Sequence, residues 1–241
     1  MDIQVLASSS AGNAYIVGDG VTKILIECGL PFRELQKKSG FTLSECSACL
    51  ISHSHGDHAK GWKEVRNIMP VFMLYDTARE LGAEWYQYKQ ITYLNSYRAG
   101  SFNIVPIPAK HDVSCAAYIV ISDATRETLL FATDYMYLEH NVTRATHAII
   151  EVNYQQKYID EAVNDGSLDI AARRRVMKSH AELQTAIKVL RGLDNALLKE
   201  VYVAHLSSRH ANAAEVKKEI QRAIGKPVYI CKSTKRRNEP C

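Results

Sequence analysis

The chain has 241 residues, of which 46% are hydrophobic and 23% charged, with 30 basic and 26 acidic side chains giving a net charge of +4. That balance excludes a disordered chain, a collagen-like fibre and a small disulfide scaffold, and the length suffices to bury a core without staples. The charge is too mild to diagnose a nucleic-acid binder. The start, MDIQVLASSSAGNAYIV, has no basic segment ahead of a long apolar one, and no run reaches membrane-spanning length. With six cysteines (Cys28, Cys46, Cys49, Cys115, Cys231 and Cys241) and no export signal, reduced thiols and a cytoplasmic location are expected. Cys46-x-x-Cys49 lacks a second cysteine pair or a suitably spaced partner, which argues against a zinc or redox site there.

The first elements are β-rich. Ile3–Ala7, Asn13–Gly18 and Thr22–Cys28 are short runs separated by the turn signals SSSAGN and GDG, and their spacing predicts an antiparallel meander. Pro31–Ser39 predicts a helix closed by Gly40. Ala48–Ser52 reads as a strand, Gly61–Ile68 as helical, Val71–Leu74 as a strand and Thr77–Ala83 as a helix capped by Asp76. A second β block is expected from Ile91–Leu94, Ser101–Ile107, Ala116–Ser122, Thr128–Ala132 and His147–Glu151. Asn153 to Ser179 is polar and partly helical, and includes Arg173, Arg174 and Arg175. Glu182–Leu193 has Leu183, Ile187 and Leu190 at helical spacing. Val201–Ala204 is a strand, Ala213–Ile224 a helix ended by Gly225, and Val228–Cys231 a last strand. A single domain over 1–241 is expected, with a short basic tail at 232–241.

The chemistry concentrates in Leu50-Ile-Ser-His53-Ser-His55-Gly-Asp57-His58, where four potential metal ligands fall within six positions behind a strand. A tight turn at Gly56 lets His53 and His55 point to one side while Asp57 and His58 come round to a second position. Imidazole and carboxylate suit zinc and similar ions. A helical HExxH site is excluded by the spacing.

The H-x-H-x-D-H string resembles the signature of the metallo-β-lactamase superfamily, whose fold is a four-layer αββα sandwich of the α/β class. The resemblance implies further ligands: His111 in IPAKHDV, Asp134 in LLFATDY and His205 in VYVAHLSS, each at a strand end. It implies His53, His55 and His111 on one divalent metal, Asp57, His58 and His205 on a second, and Asp134 bridging. Such a pair of ions, Zn2+ or alternatively Mn2+, can deprotonate a shared water and clamp the attacking and leaving oxygens. Where the family has Asp at the end of its third strand, this chain has Glu27 in ILIECG. That position supports the ligand loop rather than binding metal, and Glu reaches one methylene further.

Later motifs narrow the branch. His205-Leu-Ser-Ser-Arg209-His210 is similar to the HFSSRY segment of tRNase Z, and Ser179-His180-Ala-Glu, opening a helix, falls where its relatives have GHST or GHLS. The ASSSAGN opening and Glu151-Val-Asn153-Tyr resemble the YycJ/WalJ group of cytoplasmic exonucleases. These resemblances imply a phosphodiesterase with His180 beside a helix N-terminus, placed to bind phosphate or protonate the leaving oxygen. Asn153, Ser207, Arg209 and His210 are candidate substrate contacts, with a turn cap for Asn153 and a surface salt bridge for Arg209 as alternatives. Tyr135, Tyr137 and Tyr154 are candidates for base stacking or for packing. The Arg173–Arg175 run reads more readily as a solvated helix face than as a clamp. The leading reading is a YycJ-like DNA or RNA nuclease that acts without a membrane; relatives of this kind often form homodimers. The alternative is a cyclic-nucleotide phosphodiesterase like the phage anti-Pycsar enzymes, which the mild charge favours. Thioester or lactam hydrolysis and a non-catalytic scaffold rank below these.

Overall fold

Alternation along the strands decides the layering. The computed structural model describes residues 1–231, so the expected tail at 232–241 lies outside the described residues. The first sheet contains β1 (Asp2–Ser9), β2 (Gly12–Gly18), β3 (Lys23–Ile26), β4 (Cys46–Leu50), β5 (Val71–Leu74) and β6 (Lys89–Ile91), in that spatial order. The β1–β2–β3 meander is antiparallel, as the turn signals predicted, and β3 to β6 are parallel. The second sheet contains β7 (Tyr97–Ala99), β8 (Phe102–Lys110), β9 (Cys115–Ser122), β10 (Thr128–Ala132), β11 (Tyr137–Leu138), β12 (His147–Glu151), β13 (Glu200–Ala204) and β14 (Val228–Ile230). Its order is β11-β8-β9-β10-β12-β13-β14, with β7 paired to β8 and the last four strands of that series parallel.

Successive side chains of a strand face opposite ways, so each buried strand serves two cores. Tyr15 and Val17 of β2, Ile24 and Ile26 of β3, and Phe72 of β5 enter the core between the sheets with Phe102, Tyr118, Phe131, Ile149 and Tyr202. The intervening Ile16, Leu25 and Met73 pack outward against α1 (Phe32–Lys38) and α3 (Trp62–Val65), through Leu35, Trp62 and Val65. The short helices α2 (Gly56–Ala59) and α4 (Tyr75–Glu80) complete that side. On the far side α5 (Gln156–Asn164) and α6 (Ile170–Ser179) precede α7 (Leu183–Gly192) and α8 (Ala213–Ile224). Leu183, Ile187 and Leu190 of α7 and Val216, Ile220 and Ile224 of α8 cover Ala148, Ile150, Val201 and Val203. The result is an αββα sandwich.

Local departures from the expectations have physical causes. The apolar run at Ile91–Leu94 does not open the second sheet; Lys89–Ile91 pairs with β5 in the first, and Leu94 turns the chain at φ 64°. A two-residue period identifies a strand without choosing its sheet. Asp76 caps nothing, because α4 already begins at Tyr75 with Leu74 at its N-cap. Cys46 and Cys49 are both buried in β4 as free thiols. The polar stretch after Asn153 resolves into two helices, α5 and α6.

At the edge opposite the His53–His58 loop, Asp19 ties the sheets together. Its carboxylate accepts from the backbone N–H of Val21 (3.0 Å) and Thr22 (2.8 Å) and from the hydroxyls of Ser101, in the β7–β8 turn, and Ser122, at the end of β9 in the second sheet (2.6 Å each). Burial alone would raise its pKa; the hydrogen bonds outweigh that and hold it at about 2. The stabilisation is therefore full above the unfolded value near 4 and is lost as the pH falls from there towards 2. Replacing Asp19 with Asn is expected to lower the unfolding free energy at pH 7 by about 1–2 kcal/mol. Urea denaturation at pH 7 and pH 3 checks this, because the gap from wild type should narrow at the lower pH.

Candidate metal centre

The strands that run parallel in both sheets end at one edge of the sandwich, and the ligand-type residues follow those ends. Glu27 follows β3, His53 follows β4, His111 follows β8, Asp134 follows β10, Glu151 ends β12 and His205 follows β13. Sheet architecture of this kind gathers functional groups beyond the carboxyl ends of its strands. Gly56 is not a bare turn: it opens the one-turn helix α2, in which His58 N–H and Ala59 N–H donate to the His55 carbonyl (3.0 Å each). That turn carries Asp57 and His58 round to face His53. The loop is clasped from below by Cys28 N–H to the His58 carbonyl and Gly61 N–H to the Cys28 carbonyl (2.8 Å each). Gly29 lies so close to it that a Cβ there would stand 1.6 Å from the Asp57 carbonyl oxygen.

The imidazoles are oriented one by one. His53 Nδ1 is held by the Ser52 hydroxyl (2.8 Å), His111 Nδ1 by the Ser179 carbonyl (2.7 Å) and His205 Nδ1 by Glu151 Oε1 (2.9 Å). His58 Nδ1 faces Glu27 Oε2 at 3.5 Å. In all four rings Nε2 is left to face the cluster, the pattern that outer hydrogen bonds impose on metal-binding histidines. His55 is half-exposed and turns Nδ1 to His111 Nε2 (3.3 Å). His53, His55 and His111 thus bring three ligand atoms within 4.8 Å of one another. The same holds for Asp57, His58 and His205, and for His53, His58 and Asp134. Asp134 Oδ2 lies 2.9 Å from His58 Nε2, between the two triads.

Electrostatics test whether divalent ions fit. His53 Nε2 is buried without any hydrogen-bond partner, and Asp134 Oδ2 and His205 Nε2 have charge contacts but no well-formed hydrogen bond. Burial pushes the His53 pKa well down, keeping the ring neutral and its lone pair available. His58 and His205 go the other way. Burial would lower them, but Asp134 and the neighbouring carboxylates raise both well above the usual imidazole value. Asp57 and Asp134 are correspondingly held well below the usual carboxylate range: burial opposes this, and the surrounding imidazoles outweigh it. Glu27, Asp57, Asp134 and Glu151 form a cluster of four carboxylates, and among the described residues no lysine or arginine pairs with any of them. Two dications match that charge, so the donor set fits a two-metal centre.

The remaining candidates are placed as follows. His180 is the C-cap of α6, two residues ahead of the N-cap of α7, so it does not sit in the first turn of a helix. Its Nδ1 contacts Glu151 Oε1 (2.7 Å) and Asp134 Oδ1 (3.2 Å), beside the ligand cluster. Asn153 is buried, and its amide donates to the His205 carbonyl (3.3 Å), bracing that loop instead of facing solvent. Ser207 Oγ accepts from the N–H groups of Arg209 and His210 (3.3 and 3.2 Å), forming a local turn. Among the described residues, no hydrogen bond or ion pair joins the side chain of Arg209 or His210 to a ligand residue. Tyr135 and Tyr154 are buried and cannot stack on a base, whereas Tyr137 is exposed. Two further residues, present in the motifs ASSSAGN and Glu151-Val-Asn153-Tyr but given no role from sequence, join the site. Asn13 reaches Asp57 Oδ2 (3.4 Å) and His58 Nε2 (3.1 Å), and Glu151 holds both His180 and His205. Glu151 had a legible signal: the strand AIIE ends in glutamate just as ILIE ends in Glu27.

Backbone strain marks the same positions. Glu27, Asp134 and His205 adopt φ of 64°, 53° and 51°, in the left-handed region that non-glycine residues avoid. Such conformations persist only where surrounding contacts enforce them, and each of the three residues is fixed by the contacts above.

An αββα sandwich with a paired His/Asp cluster at its strand ends defines a class, the dinuclear metallohydrolases. Residues 22–205 match the family described as Beta-lactamase superfamily domain, and the chain belongs to that superfamily. Exodeoxyribonuclease YycJ of Bacillus anthracis is 23% identical over 86% of this chain and 83% of its own length. The metallo-beta-lactamase fold protein YhfI of Bacillus subtilis superposes with a TM-score of 0.74 at 18% identity, covering 97% of both chains. Human tRNase Z, short form, gives 0.67 at 14% identity and 96% of both. No helix among the described residues is long and apolar enough to cross a membrane.

Gly29→Ala forces the Asp57 loop outward. It is expected to cut metal affinity at least tenfold while circular dichroism stays near wild type; isothermal titration with Zn2+ measures the change.

Proposed function

We propose that the protein is a two-metal phosphodiesterase acting on nucleic acid, with His53, His55 and His111 holding one ion, Asp57, His58 and His205 the other, and Asp134 shared between them. The imidazole-rich set suits Zn2+, with Mn2+ as the alternative. Bound there, such ions lower the pKa of water and neutralise the charge of a phosphodiester.

The observation that carries the reading is His180. Burial alone would lower its pKa, but Glu151 and Asp134 outweigh that and raise it to about 9. Its ring therefore favours the protonated form at neutral pH, the form a proton donor needs. Because Nδ1 is engaged by Glu151 and Asp134, Nε2 is the nitrogen free to deliver a proton to the leaving oxygen. Glu151 fixes the tautomer, and its hold on His205 couples the proton donor to the metal-binding wall. A poised imidazolium suits expulsion of an alkoxide from an anionic ester. The likeness to a protein named as an exodeoxyribonuclease supports nucleic acid over a lactam or thioester.

A substrate panel tests the reading: bis-p-nitrophenyl phosphate, 3′,5′-cyclic nucleotides, linear DNA and RNA, and a chromogenic lactam, each with Zn2+ and Mn2+. The expected result is hydrolysis of the diester and of at least one nucleic acid, and none of the lactam. Cleavage of cyclic nucleotides without nuclease activity would overturn the choice of substrate. Asp57→Ala is expected to abolish turnover and leave the fold intact. His180→Ala is expected to lower kcat by about 100-fold or more with metal content unchanged, and an unchanged kcat removes its role.

A further inference from the structure

The arginine run on α6 divides into two kinds of side chain. Arg173 is consumed by Asp160 of α5, at 2.7 Å. Arg174, Arg175 and Lys178 are exposed and, among the described residues, have no hydrogen-bond or ion-pair partner for their side chains. These three cations line an open cavity of about 560 Å³ with Asp112. The cavity adjoins the metal centre in two ways. The Ser179 carbonyl at the end of α6 holds His111, and His180 is the next residue. Asp112, the acidic group of the lining, is turned to His111 Nε2 (2.9 Å) and His55 Nε2 (3.6 Å), on the side of the metal centre.

At a helical rise of about 1.5 Å per residue, Lys178 and Arg174 stand roughly 3 and 9 Å back along the axis from His180. A ladder of positive charge therefore leads away from the proton donor. The like-charged pair at positions 174 and 178 disfavours the helix by itself, a cost that an anion lying over it offsets. A substrate with one phosphodiester group has no use for cations at those distances, because its charge is met at the centre. A polymer does.

Resting on the phosphodiesterase reading, we infer that the α6 face is a track for the phosphate backbone of a nucleic-acid strand extending from the scissile bond. The protein is thereby selective for polymer over mononucleotide. The mild net charge does not oppose this, since the cations act locally.

The test compares wild type with the triple variant Arg174→Ala/Arg175→Ala/Lys178→Ala. A control variant, Lys217→Ala/Lys218→Ala/Arg222→Ala on α8, lowers net charge equally. The readouts are cleavage of labelled 20-mers of DNA and RNA, cleavage of bis-p-nitrophenyl phosphate, and anisotropy binding of the uncleaved 20-mers in EDTA. For at least one 20-mer, the α6 variant is expected to raise KM and Kd on the order of tenfold, with kcat and small-diester hydrolysis unchanged. The slope of log Kd against log salt should fall by about 2, roughly 0.7 per lost phosphate contact. The α8 control should behave as wild type. Equal Kd and KM for wild type and the α6 variant, or an equal loss in the α8 control, overturns the track. Failure of wild type to cleave any diester overturns the phosphodiesterase reading instead, while the binding arm still decides the track. Loss of binding to anionic phospholipid vesicles alone, with 20-mer binding retained, would make the surface a membrane contact and overturn the proposal.

Discussion

Four carboxylates crowded at the rim of a protein core, with imidazoles the only cationic partners against them among the described residues, are the constraint on which the rest of this structure depends. Removing an ionised carboxylate from water costs several kcal/mol unless it is paired. Glu27, Asp57, Asp134 and Glu151 meet no lysine or arginine among the described residues, so their compensation is left to histidines that can carry a proton or surrender it to a metal. The opposed pKa directions express this: His53 is held neutral by burial, while His58 and His205 are held charged by the carboxylates. Metal binding to the second triad therefore displaces protons, which couples affinity to pH.

The sandwich exists in the form that this cluster needs. Parallel strands in both sheets end at one edge, so that six chain segments far apart in sequence deliver side chains to one place. The strain at Glu27, Asp134 and His205 is tolerated because each lies within two residues of a buried strand end whose ladder and side-chain bonds fix it. Asp19 ties the sheets at the opposite edge, leaving the metal-bearing edge open to substrate.

Legibility in the sequence tracked the range of the interactions. His53, His55, Asp57 and His58 could be read directly because one loop carries them. His111, Asp134 and His205 could be read only through the family resemblance, since a residue at a strand end does not announce its partners. Asn13 and Glu151 stood in recognised motifs, but their roles went unread because their contacts cross 45 and 54 positions respectively. For His180 the sequence suggested a helix N-terminus, whereas Glu151 and Asp134 surround its Nδ1. The bond from the Asn153 amide to the His205 carbonyl was equally out of local reach, because it spans 52 positions. The sandwich was legible from alternation and turn signals, while the sheet to which Lys89–Ile91 belongs depended on tertiary pairing that no local pattern encodes.

The most direct test of the charge-balance account is calorimetric titration of chelator-stripped protein with Zn2+ in buffers of different ionisation enthalpy. The account predicts close to two ions per chain, with net proton release on binding at neutral pH and loss of the shared mode in Asp134→Ala. A single ion bound without proton release, or the same stoichiometry and affinity in Asp134→Ala, would contradict it.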